Sequence, residues 1–273
     1  KRFNGHLLNW YDTVTLDPLP PAYVSTVDSG NLAAALLTLS VALHPIAPDL
    51  AARASALFDS MNFAVLYEPK RQLFAIGYRL EDAEGPGRLD LAYYDLLASE
   101  ARLASFLAIA KGDVPQSHWF HLGRSLTSAR GTPVLLSWGA TMFEYLMPLL
   151  VMRSFPKTLL DETCRAIIRR QIDYGASRGV PWGVSESAYD TVDRQGNYQY
   201  KAFGIPGLGM RRGLGDELVV SPYATALAVG LDPVSSLANL RRLAALGVSG
   251  DYGFFEAIDF TERDPEAATT PTP

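Results

Sequence analysis

The spacing of apolar residues along the chain predicts a mainly helical protein. Apolar residues recur every three or four positions over several long segments, with cap residues or prolines at their ends. Asp28 is predicted to cap the first helix, which stops near Pro45. A third helix should end at Lys111-Gly112, since glycine commonly terminates helices. The predicted helices cover residues 28–43, 48–61, 93–110, 116–124, 141–153, 157–175, 223–230 and 233–246.

Strand signals are few by comparison. Two short strands, a possible hairpin, are predicted over 63–67 and 73–78, on either side of Pro69-Lys70-Arg71. Many helices with only scattered strands favour an all-α architecture of helical hairpins arranged around a centre. We predict one domain over residues 1–262. Residues 263–273, which end in Thr-Pro pairs, are predicted to be a linker or a disordered tail.

The segment 181–209 has neither a helical nor a strand period and is predicted to be a loop. It is unusual for a loop because it is rich in Trp, Tyr and Phe and carries one carboxylate, Glu186, near its start. Aromatic rings on an irregular scaffold beside an acid are typical of a sugar-binding cleft. The alternative is an Ω-loop that packs on its own aromatic side chains.

Composition narrows the class of protein. The 273 residues are 48% hydrophobic and 19% charged, with a net charge of −5, so nothing indicates binding to nucleic acid or to an anionic membrane surface. No run of 18 apolar residues and no signal peptide is present, and we expect no transmembrane helix. The chain begins at Lys1 without Met, which indicates a fragment or a processed product. The single cysteine, Cys164, excludes a disulfide framework and is expected to be a core thiol.

Glu100 is the first candidate for chemistry. In the predicted helix it falls three residues from Leu97 and three from Leu103, within the apolar stripe. A carboxylate on an apolar face is costly unless it is paired or lines a cleft. Glu100 is therefore either a cleft carboxylate or one half of a surface ion pair, for example with Arg124.

Several further residues allow the same two interpretations. Glu144 and Glu256 lie beside aromatic residues, and Asp28 is explained equally well as a helix cap. The tryptophans are candidate stacking surfaces for sugar rings, although each is more often an ordinary interface aromatic. The candidates for substrate binding are Asp28, Trp138, Glu144, Trp182, Tyr200, Phe203 and Glu256, and Trp10 and Trp119 are further aromatic candidates.

Other chemistries have weaker support. The glycine-rich segment 204–209 contains a proline and follows no predicted strand, so it is a poor dinucleotide loop. His118 and His121 could share a helix face, but no third ligand is nearby in sequence, which disfavours zinc. Neither a phosphate-binding loop nor Gly-x-Ser-x-Gly occurs. We expect no metal and no cofactor.

The order of the motifs is distinctive. Together they closely resemble the glycoamylase-like central region of bacterial cyclic β-1,2-glucan synthases, over residues 3–262. The motifs are NWYD (9–12), YVSTVDSGNL (23–32), YDLLASEAR (94–102), AIAKG (108–112), WFHLGR (119–124), MFEYLMP (142–148), PWGVSES (181–187) and YGFFEA (252–257).

The resemblance implies a fold and a chemistry. It implies an (α/α)6-barrel, incomplete here because fewer helices are predicted than the twelve of a complete barrel. It also implies a retaining transglycosylase that cleaves linear β-1,2-glucan and joins the ends into a ring. The matching carboxylates are Glu186 as acid/base and Glu100 as nucleophile. The implied partners are β-1,2-linked glucan and other domains of a larger synthase, and the implied location is a cytoplasmic domain of an inner-membrane synthase without direct membrane contact.

Two alternatives stay open. Within the same chemistry, the chain is a hydrolytic endo-β-1,2-glucanase. In a different class, it is a non-catalytic glycan-binding or structural module of a larger synthase. Whether Glu100 and Glu186 come together in the folded chain helps to separate the second alternative from catalysis.

Overall fold

The computed structural model describes residues 1–83, 85–261 and 271–272. The chain forms two compact units: the first holds Lys1–Leu97 and Ala101–Gly123, and the second holds Ala98–Glu100 and Arg124–Pro273. The longest elements are helices, as predicted. Within the described residues there are eight α-helices and six sheets of two or three strands, whereas the sequence indicated a single hairpin.

The first unit contains four helices and two small sheets. The sheets have the strand orders β1–β4–β5 and β2–β3–β6, and all their pairings are antiparallel. The helices are α1 (Thr26–Leu43), α2 (Pro48–Ser60), α3 (Arg102–Lys111) and α4 (Ser117–His121). The strands are β1 (Tyr23–Ser25), β2 (Tyr67–Glu68), β3 (Leu73–Ala75), β4 (Gly77–Arg79), β5 (Arg88–Leu89) and β6 (Tyr93–Tyr94).

Two helix starts differ from the prediction. The cap of α1 is Ser25, whose hydroxyl accepts the Asp28 N–H at 3.2 Å, so Asp28 lies in the first turn of the helix and is not its cap. The third helix begins at Arg102 and not near Tyr93, although it ends at Gly112 in the left-handed conformation as predicted. Leu97 is buried although it lies outside a helix, and its N–H donates to the Gly123 carbonyl at 3.0 Å. Glu100 therefore precedes α3.

The predicted strand over 63–67 is also largely wrong. Residues Phe63–Leu66 form a 3-10 turn, and only Tyr67–Glu68 is strand. The Asn62 side chain accepts the Ala64 N–H and caps this turn, which explains why a run of apolar residues is not extended here. Phe63 and Leu66 are both fully buried.

Helix α1 is apolar enough to bear on the prediction that the chain has no transmembrane helix. Its 18 residues have a mean hydropathy of 1.3, so by length and composition alone it could cross a membrane. The sequence prediction relied on unbroken apolar runs, which Thr38 and Ser40 interrupt. In the first unit α1 packs on α2 and α3, and a core helix passes the same test, so the test is weak evidence for a membrane span.

Gly30 sets the separation of α1 and α3. A Cβ at this position would lie 2.6 Å from the Cβ of Ala104. Gly30→Ala should therefore lower the free energy of unfolding by about 1–3 kcal/mol. This loss is expected even though alanine is more stable than glycine inside a helix by about 1 kcal/mol. Chemical denaturation measures this change. Gly230→Ala is the control, since a Cβ there meets nothing within 4 Å. Equal stabilities of the two variants would show that α1 and α3 move apart without a cost in free energy.

The second unit contains the other four helices. Its described strands form three hairpins (β7–β8, β9–β10 and β12–β13) and the antiparallel sheet β11–β14–β15. The helices are α5 (Met142–Leu146), which continues into a 3-10 turn over Met147–Leu150, α6 (Leu159–Arg178), α7 (Pro222–Leu227) and α8 (Pro233–Ala245). The strands are β7 (Leu126–Ala129), β8 (Thr132–Leu135), β9 (Ser187–Val192), β10 (Tyr198–Lys201), β11 (Val219–Val220), β12 (Ser249–Gly250), β13 (Gly253–Phe254), β14 (Ala257–Asp259) and β15 (Pro271–Thr272).

Helix α6 forms the centre of this second unit. It is capped by Thr158 and ends at Gly179 in the left-handed conformation. Its Thr163 hydroxyl accepts the Leu135 N–H of β8 at 3.1 Å. Cys164 is buried on the same helix, as expected, beside the carbonyl of Tyr145. Of the predicted tail 263–273, residues 263–270 and 273 lie outside the described residues. The single domain over 1–262 stays a prediction.

Candidate active site

The predicted loop 181–209 is partly a β-hairpin. Strands β9 and β10 pair in antiparallel fashion with an irregularity between Tyr198 and Gln199. The turn is held by Asp193, whose carboxylate accepts the N–H groups of Gln195 and Asn197 at 2.9 Å. Within this segment, residues 181–186, 193–197 and 202–209 lie outside the strands. Glu186 is the last residue before the hairpin.

Buried amide side chains hold the segment that carries Glu186, beside a single antiparallel bridge between Val184 and Val220. Gln171 of α6 donates to the Val184 carbonyl at 2.8 Å and accepts the Val184 N–H at 2.9 Å. Asn239 of α8 accepts the Trp182 N–H at 3.2 Å and donates to the Trp182 carbonyl at 2.7 Å. Each amide thus satisfies both backbone groups of one residue, as a neighbouring strand would. Glu186 is therefore anchored to two helices of the second unit.

Gly183 lies between these two anchored residues and needs to be glycine. Its φ is 128°, and a Cβ there would lie 2.9 Å from the Thr225 hydroxyl and 3.0 Å from the Ser221 carbonyl. The Ser221 N–H also donates to the Gly183 carbonyl at 2.9 Å. The backbone of the segment therefore lies directly against the start of α7.

Trp182 is part of the core of the second unit. Its side chain is 6% exposed, and its backbone lies 3.0 Å from where a Cβ on Gly175 of α6 would be. So little open surface favours a packing role for the indole, and its assignment as a substrate-binding residue stays a prediction.

Tyr223 of α7 fixes the backbone at Glu186. Its hydroxyl oxygen lies 2.8 Å from both the Ser185 hydroxyl and the Glu186 carbonyl, and Ser185 accepts the Phe143 N–H at 3.1 Å. One arrangement satisfies every group: Ser185 donates to Tyr223, and Tyr223 donates to the Glu186 carbonyl. Burial, followed by the charges of Glu186 and Glu256, raises the pKa of Tyr223, so its hydroxyl keeps the proton that it donates.

Glu186 holds its proton unusually tightly. Burial, followed by the charges of Glu100 and then Glu144, raises its pKa from 4.5 to about 8. Glu100 belongs to the second unit through the short segment Ala98–Glu100, and its carboxylate accepts the Ser99 hydroxyl at 3.3 Å. The two carboxylates predicted to act together are therefore close enough for the charge of one to affect protonation of the other.

Glu144 has a structural role at the start of α5, and its assignment to substrate binding stays a prediction. It accepts the Ser137 hydroxyl at 2.9 Å and the N–H groups of Gly139 and Thr141 at 2.8 and 2.9 Å. With Thr141 it completes a capping box at the start of α5. Burial raises the pKa of Glu144, while these hydrogen bonds lower it. Its role is to hold the loop 137–141.

Tyr200 and Glu256 lie beside the same carboxylates. Tyr200 of β10 pairs with Ala188 of β9, and the Ala188 N–H donates to Glu256 at 3.1 Å. The Tyr200 side chain is 65% exposed. Partial burial and the charges of Glu186, Glu256 and Glu100 raise its pKa. Both residues remain available to a ligand.

Two other predicted aromatic residues differ in exposure. Trp138 is 47% exposed, as a stacking surface for sugar would be. Phe203 is 4% exposed and packs edge-on against Tyr189, with ring centroids 5.2 Å apart. Phe203 is therefore mainly a support for the hairpin.

Asp28 lies in the first unit, where it meets another sequence candidate. Asp28 and Trp10 line one cavity of about 390 Å³ together with Asn9. Trp10 is 64% exposed, so its indole is open to a ligand. The joint convergence of Asp28 with Glu100, Glu144, Glu186 and Glu256 stays a prediction.

The histidines have structural roles or lie at the surface. His118 is buried in the first unit, with Nδ1 2.8 Å from the Gln72 carbonyl and Nε2 2.9 Å from the Ser105 hydroxyl. His121 is exposed. Across residues 1–83, 85–261 and 271–272, no three His, Cys, Asp or Glu residues are grouped so that they could hold a metal ion.

Sequence reasoning missed the residues that position Glu186: Gln171, Asn239, Ser185 and Tyr223. A signal for two of them was present. Gln171 follows Ile167 and Ile168 on the buried face of α6, and Asn239 lies between Ser236 and Leu243 on the buried face of α8. A polar side chain on an apolar helix face needs a partner. No periodic pattern indicates Ser185 or Tyr223.

Comparisons with known proteins give the family of this chain and the proteins that share its fold. The Glycoamylase family model, described as "Putative glucoamylase", matches residues 92–271. The cyclic β-(1,2)-glucan synthase NdvB of Rhizobium meliloti (strain 1021) is 48% identical over 215 residues, which are 78% of this chain and 8% of NdvB. This chain thus spans a small part of that relative.

Two solved structures share the fold. A mutant endo-β-1,2-glucanase from Talaromyces funiculosus, in complex with β-1,2-glucan, matches with a TM-score of 0.78 and 17% identity, over 94% of this chain and 58% of that one. The endo-β-1,2-glucanase from Chitinophaga pinensis, with sophorotriose and glucose, matches with a TM-score of 0.71 and 18% identity, over 96% and 67%. At these identities the likeness concerns the fold. The match of the family model over most of the chain shows that the chain belongs to the Glycoamylase family.

Proposed function

We propose that this chain is a glycosidase-type domain that acts on β-1,2-linked glucan. The observation that carries the proposal is Glu186, whose pKa is raised to about 8 by burial and by the charge of Glu100. One protonated and one charged carboxyl group side by side are what glycoside cleavage requires. The relatives supply the substrate class, since NdvB is a cyclic β-1,2-glucan synthase and the two solved structures are endo-β-1,2-glucanases.

The finer proposal is a retaining transglycosylase. Glu100 attacks the anomeric carbon, the glycosidic C–O bond breaks, and Glu186 gives its proton to the leaving oxygen. The ionised Glu186 then takes a proton from a hydroxyl of the same glucan chain, and that oxygen displaces Glu100 from the anomeric carbon. Two inversions at one carbon retain its configuration, and the chain closes into a ring.

The hydrolytic endo-β-1,2-glucanase is the second candidate, because the solved structures that share the fold are hydrolases of this kind. It differs in one step only, since water takes the place of the glucan hydroxyl. Incubation with linear β-1,2-glucan and mass spectrometry of the products separates the two. A cyclic product is lighter by one water than the linear glucan of the same length, whereas shortened linear chains indicate hydrolysis. Binding without any product would leave the non-catalytic glycan module.

The setting of the domain is also a proposal. We expect an (α/α)6-barrel that is incomplete within this chain, supported by the fold shared with the glucanases. We further expect other domains of a larger synthase polypeptide as partners, supported by the identity to part of NdvB. A crystal structure of a longer chain tests both expectations.

The pH dependence of the rate should reflect Glu186. As the acid, Glu186 must be protonated, so kcat/KM on linear β-1,2-glucan should fall as the pH rises through about 8. In a Glu186→Gln variant assayed with an activated glycosyl donor, which needs no protonation, this alkaline limb should disappear. An unchanged limb in the variant would mean that another group donates the proton, with Glu256 as the next candidate.

A further inference from the structure

A second cavity lies in the second unit, outside the carboxylate cluster. Its volume is about 300 Å³, and its walls come from residues 201–204 and 211–217. We call it the 201–217 cavity. Five of its lining residues are charged, and they carry both signs: Lys201, Arg211, Arg212, Asp216 and Glu217.

The charged side chains of the 201–217 cavity fall into two groups. Lys201 forms an ion pair with Glu217, and Arg211 donates to the Ala202 carbonyl at 2.8 Å. Arg212 and Asp216 differ, because no side-chain hydrogen bond or ion pair from either of them reaches another residue in the described parts of the chain. Both are exposed. A guanidinium with several donors and a carboxylate with several acceptors therefore face the same cavity unused.

Because the cavity carries both signs of charge, it favours a neutral ligand. An anion would be attracted by Arg212 but repelled by Asp216 and Glu217. A cation would be attracted by the two carboxylates but repelled by Arg212. A neutral polyhydroxy compound satisfies both groups, since each hydroxyl donates and accepts. Leu214, which is only partly buried, adds apolar wall that suits the C–H face of a sugar ring.

The 201–217 cavity is next to the hairpin that follows Glu186. Lys201 pairs with Ser187, the residue after Glu186. Side chains alternate along a strand, so Tyr200 and Lys201 point to opposite faces of β10. Tyr200 is on the carboxylate side, as its raised pKa indicates, and Lys201 lines the cavity. The cavity is therefore separated from the carboxylates by the thickness of one hairpin.

The exposed Trp138 joins the cavity through its backbone. The Arg211 N–H donates to the Trp138 carbonyl, and the Met210 N–H donates to the Ser137 carbonyl, both at 3.0 Å. Glu144 holds Ser137 from the other side. The loop that presents Trp138 and the loop that presents Arg212 are thus joined by backbone hydrogen bonds.

We infer that the 201–217 cavity is an accessory subsite that binds one glucosyl unit of a β-1,2-glucan chain, with Arg212 and Asp216 as its specificity residues. This inference rests on the proposed function. The subsite acts on chains long enough to reach from the carboxylates past the hairpin, and it does not act on the shortest ones.

Calorimetric titration of the full chain, made catalytically inactive by Glu186→Gln, tests the inference. Adding Arg212→Ala or Asp216→Ala should raise the Kd for a long linear β-1,2-glucan about 10-fold or more, since each change removes a hydrogen bond that involves a charged group. The Kd for sophorose, the β-1,2-linked disaccharide, should stay the same. Arg169→Ala, at an exposed position on α6, is the matched control and should change neither value.

Each other outcome is decisive. If the parent binds the long glucan and Arg212→Ala and Asp216→Ala bind it equally well, the accessory subsite is wrong while the proposed function stands. If the parent binds neither glucan, the proposed function fails and the subsite fails with it. Inorganic phosphate is the further probe: binding to the parent that Arg212→Ala abolishes, with glucan affinity unchanged, identifies an anion site and overturns the inference.

Discussion

Glu186→Gln is expected to reduce turnover of linear β-1,2-glucan by about 10²–10⁴-fold, the usual contribution of a positioned acid. The amide keeps the shape of the side chain but has no proton to give. Glu100→Gln should cause a loss of at least this size, because an amide does not form the glycosyl-enzyme intermediate. Product formation, followed by mass spectrometry, measures both losses, while the Kd for glucan should change little.

Glu186→Gln should make the folded chain more stable than the wild type at alkaline pH. The pKa of Glu186 is about 8 in the folded chain against 4.5 for the ordinary group. Between these values the folded state binds more protons than the unfolded state, so the free energy of unfolding falls as the pH rises. Glutamine does not titrate, and the Glu186→Gln variant should lose this part of the slope. A less active but more stable variant is the pattern expected of a functional group that the fold tolerates at a cost.

Glu162→Gln is the control for these carboxylate substitutions, because Glu162 is exposed on α6. It should leave both the rate and the pH dependence of stability unchanged. Near wild-type turnover by Glu186→Gln or Glu100→Gln would contradict the catalytic assignment of that residue.

Gln171→Met should lower the free energy of unfolding by about 2–5 kcal/mol. Methionine has a similar length and fits the same space, but the Val184 N–H and carbonyl lose their partners. Each buried backbone group left unpaired costs about 1–3 kcal/mol. Chemical denaturation measures the loss of stability, and turnover should fall as well because Val184 is two residues from Glu186.

Gln195→Met is the control for Gln171→Met, because it makes the same substitution at an exposed position. Gln195 is exposed in the β9–β10 turn, and within the described residues its side chain holds no backbone group as Gln171 does, so the change should stay within about 0.5 kcal/mol. A loss below 1 kcal/mol for Gln171→Met would mean that water or a shift of the segment replaces the missing partners.

The sequence predicted helix ends well where a single residue decides them. Gly112 terminates α3 and Pro48 begins α2, because each imposes its local conformation whatever surrounds it. It failed at the start of α3, where Leu96 and Leu97 have helical spacing and are buried but lie outside the helix, beside Gly123. It failed again at Asp28, since the choice between Ser25 and Asp28 as the cap depends on where strand β1 ends.

The sequence indicated the carboxylates of the candidate site but not the residues that position them or the exposure of the rings around them. The motifs around Glu100 and Glu186 carry the resemblance, and the catalytic assignment of the two residues stays a prediction; the charge of Glu100 raises the pKa of Glu186. Exposure of a particular ring could not be predicted, so Trp182 and Trp138 were treated alike although one is buried and the other open. Burial of Trp182 depends on its distance from Gly175, which no local pattern encodes.

The two buried amides have a consequence for hydrogen exchange. Residues 181–186 lack regular structure, and amide protons in such segments normally exchange quickly with solvent. Here the N–H groups of Trp182 and Val184 are bonded to side chains of α8 and α6. Their deuterium uptake should therefore follow the opening of those helices and not the fluctuation of a loop, so an irregular segment should show the protection of a helical core.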